Sequence, residues 1–79
     1  MRFEWDPRKA ERNLKRRRIS FAEASTVFYD PLAKTIADPD HSATEHRELT
    51  PGQSHTGRLL IVKPTQWQDR IRIISERIR

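Results

Sequence analysis

The sequence predicts an α+β domain in which two N-terminal helices pack on one face of a small antiparallel sheet. Helix-start signals stand at Asp6-Pro7 and at Ser20, and Asp30-Pro31 then stops helical structure. Beyond Pro31 the chain turns to β-branched residues separated by turn formers. Helices followed by a series of strands are typical of α+β folds.

The length and composition of the chain restrict its class. Its 79 residues are enough for one small domain, so residues 1–79 are expected to form a single unit. The absence of cysteine excludes disulfides and cysteine-based zinc sites. No stretch approaches the roughly 20 apolar residues of a membrane span, and the first residues lack the apolar run of a signal peptide. We therefore expect a cytoplasmic protein that makes no contact with a membrane.

The first predicted helix begins with a strong local signal. Asp6 is expected to cap it and Pro7 to occupy its first position. Ala10 and Leu14 lie four residues apart and give the helix a narrow apolar stripe. No glycine follows its basic C-terminal turn, so the usual left-handed cap is missing and fraying of this end is expected.

The second helix is predicted with more support. Ser20 and Glu23 form a capping-box pattern, in which the serine caps the helix and the glutamate reaches back to the serine N–H. Phe21, Ala24 and Phe28 share one face of this helix, which predicts its contact with the sheet.

The strands are predicted from apolar runs and alternation at residues 3–5, 34–37, 46–50, 58–63 and 71–78. The segment 58–63 is a continuous apolar run opened by Arg58 and closed by Lys63, and it predicts a central strand buried on both faces. Pro64 should end its regular ladder pairing or force a bulge. Residues 66–69 are expected to form a short connection. Strict alternation in the last strand places one set of residues, Ile71, Ile73, Ser75 and Arg77, opposite a second set, Arg70, Arg72, Ile74, Glu76 and Ile78.

The charge of the chain is unevenly distributed. The net charge is +5, made of +5 in residues 1–19, −4 in residues 20–56 and +4 in residues 57–79. If the fold joins the two basic ends, they form one positive surface that attracts phosphates. Solubilisation of a small domain is the alternative explanation, but twelve of the sixteen cations are arginine, whose planar fork suits phosphate.

Several arginines fall on or beside predicted strands and form the candidate site. As a group, with Lys63 and Lys15, they predict a groove that holds RNA by its phosphates. Positive charge there would stabilise the anion formed when a 2′-hydroxyl attacks the adjacent phosphate. The alternative for each arginine is an edge-strand charge that deters aggregation. The four residues are Arg47, Arg58, Arg72 and Arg77.

Other side chains with useful chemistry are less specific. Candidates for proton transfer are Glu45, His46, His55 and Tyr29. A metal site built on the histidines is disfavoured, because their spacing matches no known ligand pattern. Trp5 is expected in the core, whereas Trp67 is expected in a loop and available to a nucleobase or a partner chain.

Three groups of residues together carry a resemblance to a known family. The first is Phe3-Glu4-Trp5-Asp6-Pro7, Lys9, Asn13-Leu14-Lys15, Ile19-Ser20-Phe21, Glu23-Ala24, Val27-Phe28 and Asp30-Pro31. The second is Glu45, Arg47, Gly52, Ser54, Gly57 and Arg58-Leu59-Leu60, and the third is Arg70-Ile71-Arg72-Ile73-Ile74-Ser75 with Arg77. In this order, across nearly the whole chain, they resemble the BrnT toxins.

The resemblance implies a RelE-like ribonuclease fold and the toxin of a type II toxin–antitoxin system, which stops growth by cutting RNA without metal or other cofactor. It implies a BrnA-type ribbon-helix-helix antitoxin as the partner in a heteromeric complex, with operator DNA contacted only through that antitoxin. We therefore expect Arg47, Arg58, Arg72 and Arg77 to be catalytic. The expected RNA-binding residues are Lys15, Arg16, Lys63, Thr65 and Ser75.

The chain also departs from the family pattern. Arg17-Arg18 replaces a common His-Gly, Pro64 stands where many members carry histidine or an aromatic residue, and Glu76 replaces a small residue, which places a carboxylate near the expected phosphate site. Family members usually continue past Arg79 into a basic helix. The alternative is therefore a catalytically weakened or inactive toxin-like protein that acts as an antitoxin-binding module. Direct DNA binding by this chain is disfavoured, because no helix-turn-helix spacing accompanies the basic first helix.

Overall fold

The computed structural model describes residues 1–40 and 47–79. It confirms the α+β class, with helical structure at residues 7–17 and 21–29. Among the described residues the elements are β1 (Arg2–Glu4), α1 (Pro7–Arg17), α2 (Phe21–Thr26), a 3₁₀ turn (Val27–Tyr29), β2 (Ile36–Ala37), β3 (Glu48–Gln53), β4 (Leu59–Trp67) and β5 (Arg70–Ile78).

The sheet is mixed, so the prediction of an antiparallel sheet is only partly correct. The strand order is β1-β5-β4-β3-β2. Strands β2 to β5 pair antiparallel, whereas β1 pairs parallel with β5 through Arg2 and Arg70. Short connections enforce antiparallel pairing between neighbours such as β4 and β5. The chain between β1 and β5 is long, and it therefore leaves the direction of β1 unconstrained.

The N-cap hydrogen bonds of both helices form as predicted. Asp6 Oδ1 accepts a hydrogen bond from the Arg8 N–H at 2.9 Å, and Ser20 Oγ accepts one from the Glu23 N–H at 2.9 Å. The first helix ends without glycine at Arg18, which adopts the left-handed conformation with φ of 58° and donates its N–H to the Leu14 carbonyl. A defined left-handed cap therefore replaces the expected frayed end.

The core lies between α2 and the sheet. Its buried members are Ile19, Phe21, Ala24, Val27, Leu60, Val62 and Ile73, and partly buried Phe3, Trp5, Ala10, Phe28 and Ala33 pack against them. Trp5 is thus in the core as predicted, edge-on to the Phe21 ring at 6.2 Å. Leu14 is not, because 47% of its surface is exposed, and Asn13 takes the buried position on α1. The Asn13 amide is satisfied by the Lys9 carbonyl at 2.8 Å.

Pro64 produces a bulge and does not end the strand. Strand β4 continues to Trp67, so Trp67 ends a strand and does not lie in a loop. Lys63 is opposite Ser75 but Pro64 is opposite Ile73, which leaves Ile74 without a partner. Because proline has no N–H to donate, interior strands tolerate it mainly at such irregularities.

The bulge changes which side chains of β5 share a face. Ile71, Ile73 and Glu76 are buried on the core side, so the strict alternation predicted from the sequence is wrong beyond Ile74. We call the opposite side of these two strands the open face. It carries Ile61, Lys63, Thr65 and Trp67 on β4 and Arg70, Arg72, Ser75 and Arg77 on β5.

Neither helix that the structure describes is long and apolar enough to cross a membrane.

Gly52 of β3 provides a test of the packing between the sheet and the chain after α2. A Cβ atom at this position would stand 2.7 Å from Val27 Cγ1 and 2.8 Å from Ala33 Cβ. We expect Gly52→Ala to lower the free energy of unfolding by about 2 kcal/mol through overpacking. Urea denaturation measures this, with exposed Gln66→Ala as a control expected to change stability by less than about 0.5 kcal/mol. Equal stability of the two variants would contradict the packing.

Candidate nucleic-acid interface

A cavity of about 430 Å³ lies beside the bulge. It is lined by Lys9, Arg47, Glu48, Lys63, Pro64, Thr65, Ile74 and Ser75. We call this cavity the basic groove, because three cations and two hydroxyl groups meet one carboxylate there. Four of the predicted site residues, Arg47, Lys63, Thr65 and Ser75, are brought together in it from β4, β5 and the start of β3.

Lys9 is a groove residue that the sequence reasoning did not assign. It lies on α1 one turn before Asn13, the buried residue of that helix. Residues four apart share a helix face, so a lysine one turn from a buried polar residue was the available signal. This signal is weak, because it places Lys9 in the groove only if the position of the helix relative to the sheet is already known.

Cross-strand register extends the basic groove along the open face. Lys63 lies opposite Ser75, Thr65 opposite Arg72, and Ile61 opposite Arg77. Side chains in opposite positions have Cβ atoms about 5 Å apart, so the two members of each pair are close enough to contact one ligand. Arg72 and Arg77 therefore share a face with the groove hydroxyls, although strict alternation separates Arg72 from Ser75. The bulge is the reason.

Arg58 lies elsewhere and is committed to a second polar cluster. Its Nε donates to Glu23 Oε2 at 2.9 Å, its Nη2 donates to Glu23 Oε1, and Nη2 also donates to the Arg18 carbonyl at 2.9 Å. The hydroxyls of Ser54 and Thr56 each donate to Glu23 Oε2 at 2.7 Å. The Arg58 hydrogen bonds lower the pKa of Glu23 to about 2, and the same pairing raises the pKa of Arg58. This cluster fastens the start of α2 to the β3–β4 turn.

The carboxylate of Glu76 faces the core and not the expected phosphate site. Only 1% of its surface is exposed, and neither oxygen has a hydrogen-bond partner among the residues that the structure describes. Arg17 reaches only the backbone, where its Nη1 donates to the Glu76 carbonyl. Burial is the main cause that raises the pKa of Glu76 to about 7; the nearby Glu23 charge acts in the same direction, and the Arg17 and Arg58 charges oppose it. Close to neutral pH this side chain is therefore balanced between its neutral and charged forms.

The remaining predicted site residues lie outside the basic groove. Lys15 and Arg16 are exposed on α1, where Lys15 pairs with Glu11 at 3.2 Å. His55 and Tyr29 line a separate cavity of about 440 Å³ with Thr26, Asp30, Pro31, Gln53 and Ser54. That cavity contains an acid and no lysine or arginine, which does not suit a phosphate. Glu45 and His46 lie outside the described residues. His41 lies outside them as well, so the disfavoured metal site that His41 and His46 would form falls on that segment.

A basic, hydroxyl-lined groove on a small α+β fold defines a class of domain suited to ligands that carry phosphate. The chain matches, over residues 5–78, the family described as the ribonuclease toxin BrnT of type II toxin–antitoxin systems. It belongs to the BrnT toxin family, and the resemblance predicted from its sequence is confirmed. A type II toxin has an antitoxin as its partner. A comparison with curated proteins finds no match.

The Glu23–Arg58 pair leads to a prediction about stability. Arg58→Ala leaves the buried Glu23 carboxylate without its charged partner, and we expect it to lower the free energy of unfolding by more than its matched control does. Solvent moderates the loss, because 36% of the Arg58 side chain is exposed. The matched control is Lys15→Ala, which removes the exposed pair with Glu11 and is expected to cost less than about 0.5 kcal/mol. Urea denaturation at pH 7 compares them, and equal losses would mean that the pair does not support the fold.

The buried Glu76 leads to a prediction about pH. Its pKa is raised, so its contribution to stability is complete below pH 4.5 and is lost as the pH rises through 7. The loss is about 3 kcal/mol once the group is charged. Glu23 does not contribute to the change in stability between pH 4.5 and 7, because its lowered pKa affects stability only as the pH falls below 4.5.

We expect Glu76→Gln to remove most of this pH dependence between pH 5 and 8, whereas Glu11→Gln on the exposed face of α1 keeps it. Urea denaturation at several pH values measures both variants. A wild-type profile that is flat over this range would show that Glu76 is not buried in its charged form.

Proposed function

We propose that the protein is a metal-independent ribonuclease toxin whose basic groove holds the RNA phosphate at which the chain is cut. The observation that carries the proposal is the convergence of Lys9, Arg47 and Lys63 with the hydroxyls of Thr65 and Ser75 around one cavity. The family membership supports the activity, and the groove supplies a place for it.

The chemistry requires no group beyond the RNA and the protein. The 2′-oxygen forms a bond to phosphorus, its proton is removed, and the bond from phosphorus to the 5′-oxygen breaks as that oxygen gains a proton. The products are a 2′,3′-cyclic phosphate and a free 5′-hydroxyl. The pentacoordinate intermediate carries extra negative charge on the non-bridging oxygens of the phosphate, so cations fixed around the site lower its energy relative to the ground state. Lys9, Arg47 and Lys63 supply that charge, and Arg72 and Arg77 extend it along the open face.

The biological setting follows from the same proposal. Residues 1–79 act as one toxin domain in the cytoplasm, neutralised by a BrnA-type ribbon-helix-helix antitoxin, and operator DNA is contacted through that antitoxin. The net charge of +5 favours both an RNA substrate and an acidic partner.

Two observations favour a second candidate, a toxin-like interaction module without catalysis. Arg58, expected to be catalytic, has its guanidinium bound to Glu23 and to the Arg18 carbonyl. Large apolar side chains of β4 and β5 are also exposed, namely Leu59, Trp67 and Ile78. A partner segment that covers them would account for their exposure.

The two candidates are separated by a cleavage assay with purified protein and single-stranded RNA in the presence of EDTA. We expect the wild type to cleave the RNA and to arrest growth when induced alone. Replacement of both Lys63 and Arg72 by alanine is expected to lower the rate at least about 100-fold, because fixed positive charge is lost at the scissile phosphate. A matched control replaces Arg8 and Arg12, exposed cations of α1 outside the groove, and keeps the rate.

Each negative result has its own meaning. Equal cleavage by the wild type and the groove variant would refute the site. Absence of both cleavage and growth arrest in the wild type would refute the enzyme and support the interaction module.

A further inference from the structure

A regular series of side chains leads away from the basic groove along the β4–β5 hairpin. The cross-strand pairs are Lys63 with Ser75, then Thr65 with Arg72, then Trp67 with Arg70. Beyond the bulge, successive pairs on one face are two residues apart, or roughly 6.7 Å along the strand. The series begins at the groove and ends at the hairpin turn.

The last pair contains Trp67, which contributes little to the core of the fold. Trp67 is 67% exposed, although large aromatic side chains normally contribute burial to a core as thin as this one. The other tryptophan, Trp5, follows that rule and packs against Phe21. Trp67 is not a mobile end of the chain, because it is paired within β4 and the adjoining turn is held by the Arg2 N–H, which donates to the Asp69 carbonyl at 3.0 Å.

Unpaired positive charge surrounds this tryptophan. Arg70 lies opposite Trp67, and Arg2 of β1 lies opposite Arg70 in the parallel register. Within the described part of the chain, Lys63, Arg70 and Arg72 form no ion pair. The acids nearby are Glu4, opposite Arg72, and Asp69 in the hairpin turn before Arg70. The hairpin therefore combines cations, hydroxyls and one aromatic surface in a line, which is the composition of a site for single-stranded nucleic acid.

We propose that the β4–β5 hairpin is a track for single-stranded RNA and that Trp67 stacks on an unpaired base next to the segment held in the groove. This inference rests on the proposed ribonuclease function and deepens it, because it specifies the substrate class. Stacking needs a base whose flat surface is accessible, and in a duplex both surfaces are covered by neighbouring base pairs. Trp67 therefore selects unpaired RNA, while Arg70 and Arg72 bind its backbone.

Binding of a probe that cannot be cut tests the track apart from the chemistry. The probe is a fluorescently labelled hexanucleotide of 2′-O-methyl RNA, which lacks the attacking hydroxyl, and the readout is fluorescence anisotropy. We expect Trp67→Ala to weaken binding about tenfold and Trp67→Phe to keep most of the affinity, since phenylalanine also stacks. The matched control is Tyr29→Ala, because Tyr29 is 65% exposed but lies at the other cavity. A duplex of the same sequence is expected to bind at least about tenfold more weakly than the single strand.

Cleavage kinetics provide the second readout. With an RNA of the same sequence, Trp67→Ala is expected to raise KM about tenfold with little change in kcat, because stacking contributes equally before and during the reaction. If Trp67→Ala binds and cleaves like the wild type, or if the duplex binds as tightly as the single strand, the track is refuted while the ribonuclease function stands. A role of Trp67 only in binding the antitoxin would produce the first of these results. If the wild type neither binds the probe nor cleaves RNA, the proposed function is refuted together with the track.

Discussion

Pro64 lies in β4, an interior strand with β3 on one side and β5 on the other, and it has no N–H to donate to either neighbour. The sheet accommodates it by skipping Ile74 in the register with β5. Without that skip, alternation would turn Ser75 and Arg77 toward the core and Glu76 toward Arg72. A single missing donor thus determines which chemical groups are presented to a ligand and which are buried.

The same change in register has a thermodynamic cost. It turns Glu76 into the core, where its carboxylate has no hydrogen-bond partner among the described residues. The neighbouring cluster shows the opposite case, because Glu23 is also buried but is satisfied by Arg58, Ser54 and Thr56. The satisfied cluster holds the first turn of α2 against the sheet close to the unsatisfied group. The unsatisfied carboxylate therefore limits the stability of the domain.

Local sequence patterns predicted much of the fold. They did not predict the features that depend on residues distant in the chain. Asp6 and Ser20 predict helix starts correctly, because an N-cap side chain bonds only to a backbone N–H within the next three residues. Pro64 predicts an irregularity in the strand, but it does not indicate which residue of the facing strand is skipped. The side of the sheet on which Ser75 lies could therefore not be deduced. The parallel direction of β1 depends on β5, almost the whole chain away.

For the candidate site, sequence reasoning found the residue types and partly missed their placement. Arg47, Lys63, Thr65 and Ser75 meet in one cavity because their strands pair in register. Arg58 does not join them, because its guanidinium donates to Glu23. The local sequence pattern assigns Glu23 to the cap of its own helix. Competition between a capping interaction and a charged partner 35 residues away is decided by the tertiary structure.

The parallel pairing of β1 with β5 also bears on the order in which the protein can be made. Arg2 and Arg70 are adjacent in the sheet but are separated by most of the chain, so a growing polypeptide cannot close this pair until β5 has been synthesised. Lys9 and Ser75 meet in the groove under the same restriction. The basic groove is therefore assembled only when nearly the whole chain has been synthesised.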